Sequence, residues 1–268
     1  MSQRVPWQAD GWVGWVDPDV THAVAACLGA AERGRGRTSR HARTIRVETP
    51  AGVLFVKSYA APGGWRALRA ARMAEALAAA GFGAPVAVLA ARRAGAGLLV
   101  MRDAGGEGLL GALERCRATP ALKRRLLGTL GDEIARLHTA GFVHGDLVPA
   151  NVLVREPGFV FLDNDRTRRS RVLVWLGAYR NLVQLGRHVV PGVTATDRAR
   201  VLAAYARGCG LSRRARRRLG HRVMQKVTAR RCAIDAIPPA QAARIGFREL
   251  MRSGGPFDPA RSARGACR

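Results

Sequence analysis

Apolar and polar positions alternate along Thr44-Ile45-Arg46-Val47-Glu48-Thr49, pause at Pro50-Ala51-Gly52, and resume in the β-branched and aromatic run Val53-Leu54-Phe55-Val56-Lys57. A period of two interrupted by turn residues predicts a β-hairpin over 38–59. Pro62-Gly63-Gly64 breaks the pattern, and the Ala- and Arg-rich stretch 65–80 predicts a helix that stops at Gly81. Short apolar runs at 85–89 and 97–101 predict two further strands. Strand, strand, helix, strand, strand makes a small α+β lobe.

From about Asp103 the period lengthens. Leu122, Leu126, Leu127, Leu130, Ile134 and Leu137 recur at helical spacing, and the pattern ends at Gly141. Residues 152–154 and 159–162 predict a short strand pair across Glu156-Pro157-Gly158, and 172–252 reads as several helices. The expected organisation is therefore a β-rich N-lobe over 1–102 and a helical C-lobe over 103–268. That layout fits a two-lobed enzyme with a ligand in its cleft.

Composition narrows the class. A chain of 268 residues, nearly half apolar, can bury a real core. Its five cysteines (Cys27, Cys116, Cys209, Cys232, Cys267) are scattered, odd in number and without a C-x-x-C pair. That spacing argues against a disulfide framework and a structural zinc site, and it favours a reducing compartment. The Trp-rich N-terminus lacks a signal-peptide layout. The longest apolar run, 76–91, is interrupted by Gly81, Gly83 and Pro85 and is too short to span a bilayer. The expectation is a cytoplasmic protein, soluble or peripheral on the inner face of the plasma membrane. The formal charge of +26 suits a polyanionic partner and equally suits an Arg-rich coding bias.

Chemistry is concentrated in His144-Gly145-Asp146-Leu147-Val148-Pro149-Ala150-Asn151 and the later Phe161-Leu162-Asp163. A carboxylate, an amide five residues on and a second carboxylate after a strand pair are the parts for phosphoryl transfer from a Mg-nucleotide. Asp146 is the candidate to orient an attacking hydroxyl, and Asn151 and Asp163 offer oxygens to Mg²⁺. The order H-x-D-x-x-x-x-N, then an apolar strand ending in Asp, is the catalytic-loop signature of the protein-kinase-like superfamily. An Asx-turn would explain the His-Gly-Asp triplet but not Asn151 and Asp163 at these spacings. His144 reads as a brace for the loop, and His138 as a packing or capping group at a helix end.

The chain has three lysines, Lys57, Lys123 and Lys226, and Lys57 ends an apolar strand where the superfamily keeps its phosphate-binding lysine. Its usual partner is a Glu on the following helix, and Glu75 is the only acid on 65–80. Met101, at the end of the last small-lobe strand, completes the nucleotide-binding candidates. Gly34-Arg35-Gly36-Arg37-Thr38-Ser39 lacks the G-x-G-x-x-G pattern and reads either as a phosphate-covering loop or as a surface turn. Gly145 stands where protein kinases carry Arg, no A-P-E segment follows, and few residues separate Asp163 from the next helical pattern. These departures favour a small-molecule or glycan acceptor over a peptide.

Within that superfamily the chain resembles the lipopolysaccharide kinases, which phosphorylate Kdo or heptose of the inner core. The resemblance covers about residues 38–206 and rests on the residues that follow. They are Phe55-Val56-Lys57-Ser58-Tyr59, Ala79-Ala80-Gly81-Phe82-Gly83-Ala84-Pro85, the run from Leu137 to Leu147, Phe161-Leu162-Asp163-Asn164-Asp165-Arg166, and Arg180-Asn181-Leu182-Val183-Gln184-Leu185. It implies a bilobal protein-kinase-like α+β fold and ATP and Mg²⁺ as cofactors. It implies Asp146 as catalytic base, Asn151 and Asp163 as metal ligands, and Lys57 on the phosphates. The family's helix Glu would fall near Ala70, on a different helix face from Glu75. The implied partners are ATP and a lipopolysaccharide core or lipid A precursor, not nucleic acid. Arg213-Arg214-Ala215-Arg216-Arg217-Arg218 and Arg230-Arg231 gain a use against an anionic membrane, though a solvated helix face accounts for them equally well. Two rivals stay open: an aminoglycoside-type phosphotransferase, and a non-catalytic binding protein on a kinase scaffold.

Overall fold

A computed structural model describes residues 4–38, 42–170, 174–235 and 237. The chain divides into two compact units, the first reaching to Gly105 and taking in Val160–Thr167, the second holding Gly106–Phe159 and the chain from Arg168 onward. One unit is β-rich and the other helical, the two compositions expected of the N-lobe and the C-lobe.

The first unit opens with strands β1 (Val5–Ala9) and β2 (Trp12–Val16), joined by the two-residue turn Asp10-Gly11 with both residues at positive φ. This hairpin lies outside the sequence expectation. Its Asp-Gly between apolar positions is nevertheless the turn chemistry such a loop demands. After helix α1 (Val24–Arg33) come β3 (Arg37–Thr38), β4 (Ala42–Thr49) and β5 (Gly52–Tyr59), then helix α2 (Gly64–Ala79), β6 (Ala87–Arg93) and β7 (Ala96–Arg102). The strands form one sheet in the order β1-β2-β6-β7-β5-β4-β3, seven strands where four were expected.

The alternation of β5 explains why both faces of this sheet are covered. Leu54 and Val56 point to one side, with Val16, Leu89, Leu98 and Val100, and meet Val24 and Cys27 of α1. Burial of each such side chain contributes about 1.5–3 kcal/mol. Tyr59 points to the other side with Ala90 and Leu99, against Ala67, Ala70 and Ala71 of α2. Alanines let α2 lie close to the strands. A Cβ on Gly97 would sit 2.9 Å from the Gly64 Cα, so that contact tolerates only glycine. Lys57 shares the α2 face, which places an ammonium at the edge of a small-residue cluster.

The second unit contains β8 (Glu107–Gly108), α3 (Leu109–Arg115), α4 (Pro120–Thr139), β9 (Phe142–Val143), β10 (Val152–Arg155), β11 (Gly158–Phe161, whose last two residues belong to the first unit), β12 (Arg168–Arg169), α5 (Val174–Gly186), α6 (Ala195–Gly208) and α7 (Arg213–Ile234). Helix α4 packs along α6, where a Cβ on Gly131 would approach the Val201 carbonyl to 2.5 Å. Helix α6 starts in a capping box, with Thr194 and Asp197 each accepting from the other's backbone N–H. The helical patterns expected at 65–80 and 122–140 appear within two residues of those bounds, and the part of 172–252 beyond residue 237 lies outside the described residues. Among the described residues no helix is long and apolar enough to cross a membrane.

Candidate active site

Each unit carries its own set of the residues singled out by the sequence. In the first, Lys57 Nζ lies 2.5 Å from Asp163 Oδ1, an ion pair whose lysine is almost wholly buried and whose carboxylate is 37% exposed. Strand β11 delivers Asp163 just past its end, and the Phe161 backbone N–H donates to the Gly83 carbonyl, tying this segment to the first unit. Asp163 itself has φ of 58° and ψ of 57°. A non-glycine residue in the left-handed region costs free energy, and such residues gather where chemistry dictates the geometry.

Two residues on, Asp165 is buried beside the same pair. Burial and then the charge of Asp163 push its carboxyl up to about 6, against the pull of Lys57. Tyr59, under the Lys57 ammonium at 5.0 Å, is held protonated by burial and by the charges of Asp165 and Asp163. Arg69 of α2 also reaches in, donating to the Thr167 carbonyl at 3.1 Å.

Glu75 does not join this cluster. It pairs with Arg4, while Lys57 takes Asp163, so the expected Lys57–Glu75 ion pair is not made. The physical reason is helix phase. Ala67, Ala70 and Ala71 turn toward the sheet, and Glu75 stands one turn further along on a half-exposed flank. Met101 is half-buried in β7, opposite Phe55 on one side and Ala87 on the other. Gly34 and Gly36 are close-approach positions: a Cβ would lie 2.5 Å from the Ala30 carbonyl and 2.4 Å from the Thr44 carbonyl. Packing alone therefore accounts for both glycines, and Ser39 lies outside the described residues.

In the second unit, Asp146 and Asn151 sit on the loop after β9. Gly145, at φ of 80°, turns the chain so that Asp146 follows. The Asn151 side-chain N–H donates to the Asp146 carbonyl at 3.0 Å, which leaves the amide oxygen for another partner. Behind the loop stands a buried amide network from α5. Asn181 Oδ1 accepts the His144 backbone N–H at 3.1 Å, and Gln184 Oε1 accepts from Leu147 N at 3.3 Å and from Asn181 Nδ2 at 3.0 Å. Gln184 Nε2 donates to the Gly145 carbonyl at 2.9 Å and to Asp146 Oδ1 at 3.4 Å. His138 anchors the far side, with Nε2 3.1 Å from Asn181 Oδ1 and Nδ1 3.1 Å from the Tyr205 hydroxyl. Burial lowers the His138 pKa to about 4, so the ring is neutral.

Each unit by itself offers an oxygen of the kind a hard cation takes: a carboxylate at Asp163 in the first and a neutral amide oxygen at Asn151 in the second. Among the described residues no group of three or more His, Cys, Asp or Glu forms a ready-made metal cage. Mg²⁺ bound through one or two protein oxygens plus phosphates needs no such cage. Asn181 and Gln184 lay within a quoted segment of the sequence, but their function as loop clamps had no local signal, because their partners are 37 to 39 residues away.

A model of the family described as lipopolysaccharide kinase (Kdo/WaaP) matches residues 36–205, well over half of the chain. A probable bifunctional tRNA threonylcarbamoyladenosine biosynthesis protein of Methanothermobacter thermautotrophicus is 35% identical over 77 residues, covering 27% of this chain and 14% of that relative. The chain thus spans a small fraction of that relative's length. A crystal structure of an aminoglycoside-3'-phosphotransferase of type VIII is similar at 19% identity and a TM-score of 0.49, over 77% of this chain and 99% of that one.

Proposed function

The chain belongs to the lipopolysaccharide kinase (Kdo/WaaP) family, and on that premise we propose that it transfers the γ-phosphate of ATP to a sugar hydroxyl, of Kdo or heptose, in the lipopolysaccharide inner core. The observation that carries the reading is the clamped loop. Asp146 is held by Gln184 with its carboxylate available, the arrangement a residue needs to accept a hydrogen bond from an attacking hydroxyl.

Asp146 orients the acceptor hydroxyl and takes its proton as the bond to phosphorus forms. Lys57 is a compact, nearly buried cation for the phosphate oxygens, and Asp163 holds it in place. Asn151 and Asp163 are the residues that would hold Mg²⁺, whose chemistry is to neutralise phosphate charge during transfer. Asn181, Gln184 and His138 position the loop without touching the substrate. Most of the acceleration in such a reaction comes from positioning and charge, which suits a pre-formed network.

A transfer assay with γ-labelled ATP tests this against Kdo–lipid A, heptosylated core, an aminoglycoside and a generic protein, with D146A as control. Labelling of a core glycolipid by wild type alone is expected. Labelling of the aminoglycoside alone would move the protein to its first rival. Equal background from wild type and D146A on every acceptor would remove the enzyme reading.

A further inference from the structure

The last turn of helix α7 buries a cation with too few partners. Arg231 is 0% exposed, and its Nε lies 2.7 Å from Oδ2 of Asp235, one turn further along. Neither Nη1 nor Nη2 of Arg231 has a hydrogen-bond partner among the described residues, and neither has the buried Oδ1 of Asp235. Buried charges and buried polar atoms are ordinarily matched, because leaving one unmet costs its full desolvation. Two donors and one acceptor thus stand open side by side in the interior.

A second guanidinium adds to the positive charge. Arg198, near the start of α6, donates from Nη1 to the Gly186 carbonyl at 2.6 Å and from Nη2 to the His188 carbonyl at 2.7 Å. Its buried Nε has no partner among the described residues. Burial and then the charge of Arg231 push its pKa down to about 10, so the two cations feel each other. Burial and then Arg187, Arg198 and Arg231 push His188 down to about 4, which leaves that ring neutral. Asp197, the neighbour of Arg198 in the chain, is shared by Lys123 at 3.1 Å and Arg200 at 2.7 Å. Arg198 also lines a cavity of about 270 Å³ walled by Leu182, Val190, Val201 and Val227. The exposed Met224 stands on the rim of that cavity, so an ion has a way in from the surface.

An anion completes such a cluster, and the open acceptor on Asp235 says which kind. Sulfate and ionised carboxylates only accept hydrogen bonds, so either would set a lone pair against Asp235 Oδ1. Monohydrogen phosphate accepts from guanidinium N–H through its bare oxygens and donates through its P–O–H. We propose that Arg231, Arg198 and Asp235 form a binding site for a free monohydrogen phosphate ion, with Arg231 Nη1 and Nη2 donating to it and Asp235 Oδ1 accepting from it. Arg231 has no exposed surface, which favours a free ion over a phosphate carried on a larger molecule. The ion joins the end of α7 to Arg198, and Arg198 holds the last carbonyl of α5, just past Gln184. Every residue of the site lies in the second unit, apart from Lys57 and Asp163.

Calorimetric titration of the full chain with inorganic phosphate near neutral pH, against sulfate and glycerol phosphate at matched ionic strength, tests the site. Phosphate should bind with a Kd on the order of 1 mM or tighter, and the other two anions at least ~10-fold more weakly. R231M should weaken phosphate binding roughly 10–100-fold. That variant also strips Asp235 of its partner, so D235N carries the test independently of folding. It keeps the shape of the carboxylate while offering an amide N–H, and sulfate should then bind as well as phosphate does. K57M should leave the phosphate affinity within about 2-fold, which separates this site from any phosphate contact of Lys57. The proposal is overturned if wild type shows no saturable phosphate binding, or binds sulfate or glycerol phosphate as tightly. Phosphate preference that survives D235N, or binding that K57M abolishes, overturns it too. The titration contains neither nucleotide nor sugar, so its failure leaves the kinase reading intact, and failure of phosphate transfer leaves the ion site intact.

Discussion

The two units hold their functional residues by opposite means. In the first, Lys57, Asp163 and Asp165 form a charged cluster, in which one carboxyl is pushed up by burial and by its neighbour. In the second, Asp146 accepts from the Gln184 amide, which is backed in turn by the Asn181 amide, the neutral His138 ring and the Tyr205 phenol. Charges in close quarters respond to whatever cation or phosphate arrives, because their energy depends steeply on the local field. A network of satisfied neutral hydrogen bonds keeps its geometry whatever the charge nearby. On the proposed kinase reading the charged cluster would respond to nucleotide and metal, and the amide network would pre-organise Asp146.

That contrast breaks most visibly at Asp146. D146N should lower kcat by about 10²–10⁴-fold while the unfolding midpoint stays put, since the Asn oxygen can still accept from Gln184. Steady-state kinetics with a thermal melt checks both halves. K57M should lower kcat/KM for ATP by roughly 10–100-fold, the worth of a charge-assisted hydrogen bond, and K57R should not restore it. A full rescue by Arg would mean that charge alone, not a compact ammonium, is needed there.

Disturbing the network should show in stability first. N181L leaves the His144 backbone N–H and the His138 ring without their acceptor, at a cost of about 2–4 kcal/mol. Calorimetry should record a lower midpoint and kinetics a lower kcat, with the apparent Mg²⁺ affinity unchanged. If metal affinity falls as well, the two regions are not separable in the way described.

His138 gives the same contrast a pH signature. Its folded pKa of about 4 lies below the usual 6.5. The unfolded state therefore binds the extra proton first as pH falls. The stability from the neutral ring is complete above pH 6.5 and is lost progressively between about pH 6.5 and 4. Denaturant melts across that window should show a loss of roughly 2–3 kcal/mol, and H138Q should flatten it.

The smallest effect belongs to Glu75. Its pairing with Arg4 is more than a third exposed on both sides or nearly so, and exposed pairs contribute about 0–1 kcal/mol. E75Q should leave kcat/KM for ATP within about 2-fold. A loss as large as that of K57M would restore Glu75 to the nucleotide site.

What could be read from the residues alone divides along the same line. Period-two alternation identified the 44–57 hairpin, and helical spacing identified α4, because burial on one face leaves a local mark. The motif from His144 to Asn151 was legible because its residue types stand at a fixed spacing within one loop. The β1–β2 hairpin is legible in principle, since Asp10-Gly11 is a strong turn signal between apolar positions. Helix α1 is only 10 residues long. The partner of Lys57 was not legible at all: Asp163 is 106 residues away, and only the folded chain distinguishes it from Glu75. The clamps Asn181 and Gln184 were in plain view, yet their roles come from contacts that no local pattern encodes.

The central claim is that the clamped Asp146 drives phosphate onto a core sugar. Mass spectrometry of Kdo–lipid A and heptosylated core, after incubation with ATP, Mg²⁺ and either wild type or D146N, tests it most directly. The account predicts one added phosphate on a sugar hydroxyl with wild type and none with D146N over the same time. Phosphate added equally by both proteins, or added by neither to any core acceptor, would contradict it.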